Sequence, residues 1–289
     1  MFKKIGVLQL SLLAISAIVS LRNLPIFAEI GLSIVVFLFI AAFMFFIPVT
    51  MVVVELSSTW PDVGGCYLWV KKAYGKYVAF LVLWAAWMES IIWFPTILIF
   101  MVSMLSYVLS PFFDNLISNK FFLLSGIVLI FWFLTIINFY GIKVSAVFSS
   151  IGVVIGTIIP IFFIIILGLS WFFSGKNINI DVNFISLFPT FNFDNIVFFS
   201  SILLGLSGIE LISFHIKDVV NPHKNFKKSL FISVFFILIV YIFGALSIAI
   251  VVPKNEICLS TGIVQAFNVF FLKTNLAFVV PFLSLLLLI

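Results

Sequence analysis

Charged side chains are scarce in this sequence. They make up only 9% of its 289 residues, and hydrophobic residues make up 64%, whereas soluble domains carry about 25% charged residues. Apolar runs recur along the whole sequence with only short polar breaks between them, and a membrane-spanning helix needs ~20 mostly apolar residues. The composition therefore excludes a protein that folds mainly in water, and it predicts an all-α integral membrane protein with no separate soluble domain.

Motifs of catalytic and nucleotide-binding sites are also missing. The sequence contains no H-E-x-x-H, no G-x-x-x-x-G-K-[ST] and no G-x-S-x-G, and its two histidines, His215 and His223, lie at or beyond the cytoplasmic end of a predicted span. Its two cysteines, Cys66 and Cys258, fall on opposite sides of the membrane in the topology below, so they cannot pair within one chain. We therefore expect no enzyme activity, no cofactor, no metal site and no disulfide.

The apolar runs and the breaks between them predict about seven to eight transmembrane helices, numbered here as spans 1 to 8. They lie at about 5–30 with an interruption, 32–55, 77–109, 121–140, 144–173, 196–219 and 229–252, with span 8 from Ala277 onward. The loop at 57–76 suits a segment at the cytoplasmic interface that Tyr67 and Trp69 anchor. The loop at 253–273 is amphipathic and predicts a surface helix.

The orientation follows from the lysines, because basic loops are retained in the cytoplasm. One side of the predicted topology holds ten of them: Lys3, Lys4, Lys71, Lys72, Lys76, Lys143, Lys217, Lys224, Lys227 and Lys228. The other side holds four: Lys120, Lys176, Lys254 and Lys273. This asymmetry places the N-terminus in the cytoplasm.

Arg22 is the single arginine of the chain and lies late in span 1. Pro25 follows it and small residues precede it, so span 1 is predicted to be discontinuous here. A broken helix would expose backbone groups to a central cavity, which Arg22 could face; the alternative is that Arg22 snorkels to the outer interface. Lys3 and Lys4 before an apolar stretch also fit a cleaved signal peptide, but the break favours a discontinuous first span.

Two acidic residues lie at membrane depth, where a charge costs at least ~2.5 kcal/mol unless it is paired or faces water. Glu210 lies midway through span 6 beside Gly205, Ser207 and Gly208, and small residues beside an acid predict an unwound turn. Its carboxylate either serves a cavity or only satisfies the backbone amides that the break leaves without partners. Glu89 lies in span 3, where pairing with a polar group of span 1 or 6 competes with a plain interhelical contact.

Three stretches of the sequence carry a resemblance. The first is FIP at 46–48 with ELSSTWPDVGGCYLWV at 55–70, the second is GIE at 208–210 with DVVNP at 218–222, and the third is SIAIVVPKNEICLSTG at 247–262. Together, in this order and spacing, they resemble the amino acid-polyamine-organocation superfamily of permeases. Within it they are most similar to the glutamate/GABA antiporter branch.

The resemblance covers the whole chain and implies the LeuT-like fold, in which five spans are repeated in inverted orientation around a midplane site. It implies that backbone amides at the break of span 1 bind the substrate carboxylate and that the break of span 6 completes the site, which agrees with the affinity of helix N-termini for anions. The implied substrate-binding residues are Ser16, Ala17, Ile18, Val19, Ser20, Arg22, Ser207, Gly208, Ile209 and Glu210, with Glu89 and Trp93 as candidate gating or pairing residues. Arg22 stands where the antiporter branch has an aromatic residue that faces the substrate, so the substrate is left open.

The sequence has fewer spans than the resemblance implies. We predict a single transmembrane domain over 1–289, with the first repeat at about 5–173 and a partial second repeat at about 196–289. An incomplete repeat would leave polar surfaces of spans 1, 3 and 6 without partners, at several kcal/mol for each unsatisfied group. The expectation is a C-terminally truncated LeuT-like transporter that is inactive alone, or that a separate chain completes.

The function that follows is secondary transport of glutamate or another amino acid across a bacterial cytoplasmic membrane. The expected partners are the amino-acid substrate and the lipid bilayer, with no nucleic acid. The alternative is a non-transporting membrane interaction or sensor protein on the same fold, although the loops contain no signalling domain. Exchange and symport both remain open.

Overall fold

A computed structural model describes residues 6–60, 64–109, 116, 119–140, 151–189, 193–219, 222–272, 280 and 283–284. All regular elements in these ranges are helical. They are α1 (Val7–Ile18), α2 (Asn23–Glu29), α3 (Gly31–Thr59), α4 (Gly65–Leu109), α5 (Lys120–Phe139), α6 (Val153–Phe173), α7 (Phe193–Gly205), a 3-10 segment (Ile209–Asp218), α8 (Pro222–Val251) and α9 (Gly262–Leu272). Two short 3-10 turns, Ile185–Leu187 and Lys254–Glu256, lie in the connections.

The number of apolar helices agrees with a multi-span membrane protein. Six spans among the described residues are long and apolar enough to cross a membrane, and α1 with α2 adds a seventh as a broken span. The predicted start of span 8, Ala277, lies outside the described residues. The all-α membrane class expected from composition is therefore confirmed.

Both predicted helix breaks are present. Predicted span 1 is divided between α1, which ends at Ile18, and α2, which begins at Asn23. Predicted span 6 is divided between α7, which ends at Gly205, and the 3-10 segment, which begins at Ile209. A 3-10 run of this length is uncommon, because its hydrogen bonds have poorer geometry than those of an α-helix.

The structure corrects two of the predicted boundaries. Helix α8 begins at Pro222 rather than at about 229, because its first turns are rich in lysine and an apolar pattern detects only the part of a helix that suits lipid. The loop predicted at 57–76 is mostly helical, since α3 extends to Thr59 and α4 begins at Gly65. Gly75 interrupts α4 with a φ of 84°, so the polar first turns and the apolar remainder are separate helical stretches.

The chain divides into two compact units. Unit 1 contains Met1–Ser20, Ser33–Ile91 and Phe184–Ile242, and therefore holds α1, most of α3, the first part of α4, α7, the 3-10 segment and most of α8. The 3-10 segment packs against α1 and against the second half of α3, while the first half of α3 packs against α7. The rings of Phe37 and Phe199 lie 5.7 Å apart at this second contact.

Unit 2 contains Leu21–Leu32, Ile92–Asn183 and Phe243–Ile289. In it α9 packs against α2 and α6, and the ring of Phe163 on α6 lies 5.9 Å from Phe267 and 6.1 Å from Phe271 of α9. Of the expected surface helix at 253–273, the part in α9 is a helix, and most of the apolar side chains of α9 are buried in unit 2. The predicted division into a complete and a partial repeat stays a prediction.

Candidate functional site

The first break lies at the carbonyl end of α1. The amide of Val19 still donates to the carbonyl of Ile15 at 2.8 Å, and the backbone of Val19 is then extended, with φ −71° and ψ 113°. The helical ladder therefore stops here, and the carbonyl of Ile18 and the amide of Ser20 need partners from elsewhere. Tyr241 of α8 supplies both, as its hydroxyl lies 2.7 Å from the Ile18 oxygen and 3.2 Å from the Ser20 nitrogen.

The second break begins where α7 ends. The amide of Ser207 turns back to the carbonyl of Leu204 at 3.2 Å, and its hydroxyl donates to the same carbonyl at 2.7 Å. The carbonyl of Gly205 lies 3.2 Å from the Tyr241 hydroxyl. One phenol group thus contacts backbone groups of both breaks.

Gly208 brings the second break against the first. Its φ is 109°, a conformation that L side chains rarely adopt, and a Cβ atom added there would lie 3.3 Å from the carbonyl oxygen of Ala17. A side chain at this position would press against the end of α1. Both the backbone conformation and the close approach therefore favour glycine here.

Glu210 caps the second break. Its carboxylate accepts a hydrogen bond from the Gly208 amide at 3.2 Å, and its backbone carbonyl accepts one from the Ser213 hydroxyl at 2.6 Å. A carboxylate that accepts from a backbone amide forms a charge-assisted hydrogen bond. Two roles were predicted for Glu210. The hydrogen bond from Gly208 shows one of them, in which the carboxylate satisfies a backbone amide at the break.

Several predicted site residues gather in unit 1 and divide by exposure. The side chains of Ile18, Val19 and Ile209 are buried, at 4%, 6% and 1% exposure, so these residues offer only backbone groups to a ligand. The residues that are half-buried or exposed are small or polar: Ser16, Ala17, Ser20, Ser207, Gly208 and Glu210. The hydroxyl of Ser16 donates to the carbonyl of Leu13 in its own helix, at 2.8 Å.

Three predicted residues lie at the start of α2 or on α4. Arg22 is half-buried and stands at the N-cap position of α2, in unit 2. Glu89 and Trp93 are exposed on α4, one turn apart. Among the residues that the structure describes, no group of three or more His, Cys, Asp or Glu side chains could hold a metal ion.

Tyr241 is the site residue that the sequence analysis missed. It is fully buried, at 0% exposure, within an apolar stretch of α8. A tyrosine in such a stretch indicates a hidden hydrogen-bond partner, because a buried phenol hydroxyl almost always has one. Ser229, Ser233 and Tyr241 are also spaced by multiples of four residues, which places all three on one face of a helix.

Comparison with known proteins agrees with this geometry. The sequence profile of the amino acid permease family matches residues 5–289. The chain belongs to that family. Its apolar helices, with breaks in predicted spans 1 and 6, are those that the LeuT-like fold of the superfamily implies.

Three relatives show how much of a permease this chain represents. It is 36% identical to an uncharacterised transporter of Legionella pneumophila over 98% of the chain and 61% of that protein. It is 29% identical to a glutamate/gamma-aminobutyrate antiporter of Lactococcus lactis over 94% of the chain and 54% of that protein. A probable agmatine/putrescine antiporter of Lactococcus lactis is 26% identical over 78% of the chain and 47% of its own length. The chain therefore spans about half the length of the curated relatives that it matches.

Proposed function

We propose that this chain forms the substrate-binding part of a secondary amino-acid transporter, in which the two helix breaks of unit 1 supply backbone groups to the substrate. The observation that carries the proposal is the contact between the breaks, where Gly208 lies against the Ala17 carbonyl and Tyr241 bonds to both breaks. Backbone amides and carbonyls released from a helical ladder suit the carboxylate and the ammonium of an amino acid. Small neighbouring side chains leave room for it.

The names of the Lactococcus lactis relatives support the substrate class. One exchanges glutamate for gamma-aminobutyrate and another is a probable agmatine/putrescine antiporter. We infer that the substrate is an amino acid or a product of its decarboxylation and that exchange is the mode of transport. Because the chain spans 61% of the Legionella relative and 54% of the glutamate antiporter, transport is proposed to require further spans, in the same chain or in a separate one.

A chimera tests this proposal. The Legionella chimera joins residues 1–289 to the part of the Legionella relative that follows the aligned region. We expect proteoliposomes that contain the chimera and are loaded with unlabelled amino acids to take up labelled glutamate or another amino acid, whereas residues 1–289 alone give no uptake. The matched negative control is Gly208→Leu in the chimera, because its side chain would enter the contact with Ala17.

The outcomes separate the two function classes. Uptake by the chimera that Gly208→Leu abolishes supports the proposal. Saturable amino-acid binding without uptake would contradict it and favour a sensor on the same fold. Uptake by residues 1–289 alone would contradict the need for further spans.

The proposed location is a bacterial cytoplasmic membrane, with the N-terminus inside on the basis of the lysine asymmetry. Lysines that lie over aromatic rings near the start of α4 agree with a membrane interface at this position, because both residue types are typical of one. Lys71 lies 5.7 Å from the ring of Tyr67, and Lys72 lies 4.9 Å from the ring of Trp60. These lysines belong to the side that the charge asymmetry places in the cytoplasm.

The two native cysteines provide a test of this orientation. Cys258 is exposed in the turn after α8, and Cys66 lies at the start of α4. Partial burial alone would raise the pKa of the Cys258 thiol, but hydrogen bonds with Ser260 and Thr261 outweigh it and lower the pKa from its usual value of 9.0. The thiolate is the reactive form, so Cys258 is expected to react readily.

We expect a membrane-impermeant maleimide to label intact cells at Cys258 and not at Cys66. Cys258→Ser should remove the label, and Cys66→Ser should leave it unchanged. Permeabilised cells give the reference for total accessible thiol. Labelling of Cys66 but not Cys258 in intact cells would reverse the proposed topology.

Glu89 and Trp93 remain proposed gating or pairing residues. Glu89 is exposed on α4 among exposed apolar side chains such as Trp87 and Met88. A carboxylate is costly in lipid, so this surface of α4 is proposed to face the further spans rather than lipid. A polar group in those spans would then pair with Glu89.

A further inference from the structure

Tyr241 has a position that the family resemblance did not assign. Its ring is fully buried in unit 1, and its hydroxyl lies 2.7 Å from the Ile18 carbonyl, 3.2 Å from the Gly205 carbonyl and 3.2 Å from the Ser20 amide. A phenol has one proton to donate and lone pairs to accept with. The hydroxyl therefore accepts from Ser20 and shares its proton between the last carbonyl of α1 and that of α7.

These three backbone groups are among those that each broken helix leaves without a helical partner. In the interior of a membrane protein water is not freely available, so such groups must find partners within the protein. One hydroxyl satisfies groups from both breaks, which fixes the distance between them.

A seam of serines places Tyr241 in this position. The hydroxyl of Ser229 bonds to the Val7 carbonyl at 3.0 Å, that of Ser233 to the Ser11 carbonyl at 3.1 Å, and that of Ser11 to the Ser229 carbonyl at 3.1 Å. These bonds join α1 to α8 over two successive turns. Tyr241 lies eight residues after Ser233, on the same face of α8, so the seam sets the register in which its hydroxyl reaches the breaks.

We propose that Tyr241 is a positioning residue that holds the two breaks at the spacing needed to bind the substrate. The proposal rests on the function proposed above, because it assigns to those breaks the binding of an amino acid. Tyr241 does not contact the substrate in this proposal, since its hydroxyl is already occupied by backbone groups. It acts through the positions of the Ile18, Ser20 and Gly205 backbone.

The test is Tyr241→Phe in residues 1–289, purified in lipid nanodiscs without ligand. Hydrogen exchange is read at single residues by mass spectrometry with electron-transfer fragmentation. The Ser20 amide should exchange roughly fivefold faster, the factor expected for loss of one net hydrogen bond, while the helical amides of α1 and α8 keep their rates. A merely structural role would instead raise exchange along both helices.

Two matched variants complete the design. Tyr77→Phe removes the same hydroxyl from an exposed ring and should change nothing at the breaks. Ser233→Ala removes a seam bond and should raise exchange in α1 without selective loss at Ser20. In the Legionella chimera, Tyr241→Phe should raise the KM for glutamate and retain the maximal rate per folded molecule, and Tyr77→Phe should leave that KM unchanged.

An unchanged Ser20 exchange rate in Tyr241→Phe, or an unchanged KM, would overturn the proposal. If Tyr241→Phe does not fold, hydrogen exchange in the parent chain tests the proposal instead. The proposal requires the Ser20 amide of the parent to exchange as slowly as the amides within α1. Rapid exchange of Ser20 in the parent would overturn the proposal. Failure of the chimera to take up any amino acid would overturn the proposed function and leave the exchange result standing.

Discussion

Replacing Arg22 with alanine in the Legionella chimera is expected to raise the apparent KM for glutamate about tenfold or more, with a much smaller change for glutamine. A guanidinium keeps its charge at any relevant pH and has a planar fork that matches a carboxylate. Loss of a charged hydrogen bond costs about 1.5 to 3 kcal/mol, and every 1.4 kcal/mol is about a tenfold change in affinity. The expectation assumes that Arg22, at the N-cap of α2, faces the substrate cavity.

Competition between glutamate and glutamine for uptake measures this selectivity. Arg22→Lys is the matched variant, because it keeps the charge but loses the fork, and its KM for glutamate should lie between those of the parent and Arg22→Ala. If Arg22 instead snorkels to the outer headgroups, Arg22→Ala will shift both substrates alike or neither. That result would exclude Arg22 from the substrate-binding residues that the resemblance implies.

Substitutions of Glu210 are expected to separate its charge from its capping role. Glu210→Gln keeps an oxygen that can accept from the Gly208 amide, so the break should keep its geometry while the charge is lost. Glu210→Ala removes both; a fully buried amide without a partner costs about 1 to 3 kcal/mol, and the partly buried Gly208 amide should cost less. We expect Glu210→Gln to lower uptake by the chimera about tenfold with little loss of folded protein, and Glu210→Ala to reduce both.

The measurement is uptake per folded molecule, with folded protein quantified by size-exclusion chromatography in detergent. Ser200→Ala is a control on α7, where the hydroxyl donates only to the Ile196 carbonyl of its own helix, and uptake should not change. Equal uptake per folded molecule in Glu210→Gln and the parent would limit Glu210 to capping the break. The charge would then have no part in transport.

Much of this fold is predictable because lipid imposes a simple rule on sequence. A spanning helix must be long and apolar, so α3, α5 and α6 were found close to their positions in the structure. The rule fails where a helix continues beyond the lipid, and for that reason the lysine-rich start of α8 and the first turns of α4 were missed. It also fails for α9, whose buried apolar side chains suggested only an amphipathic surface helix.

The breaks are predictable for a different reason. Pro25, and Gly205, Ser207 and Gly208 beside Glu210, are poor continuations of a helix. The structure interrupts the second helix after Gly205, and it interrupts the first between Ile18 and Asn23, with Pro25 in the first turn of α2. The role of Tyr241 was not predictable in this way. Its partners are the backbone groups of Ile18, Ser20 and Gly205, and the residues near a break do not determine which side chain of a distant helix reaches its backbone groups.

The sequence by itself therefore determined the membrane class, the helical elements and the two places where they break, because each depends on residues close together along the chain. Only the tertiary structure decided that Gly208 lies against Ala17 and that Tyr241 joins the breaks across more than two hundred residues from Ile18. The physical reason is that a backbone carbonyl or amide is the same at every position. Its partner is selected by packing between helices, which only the folded chain defines.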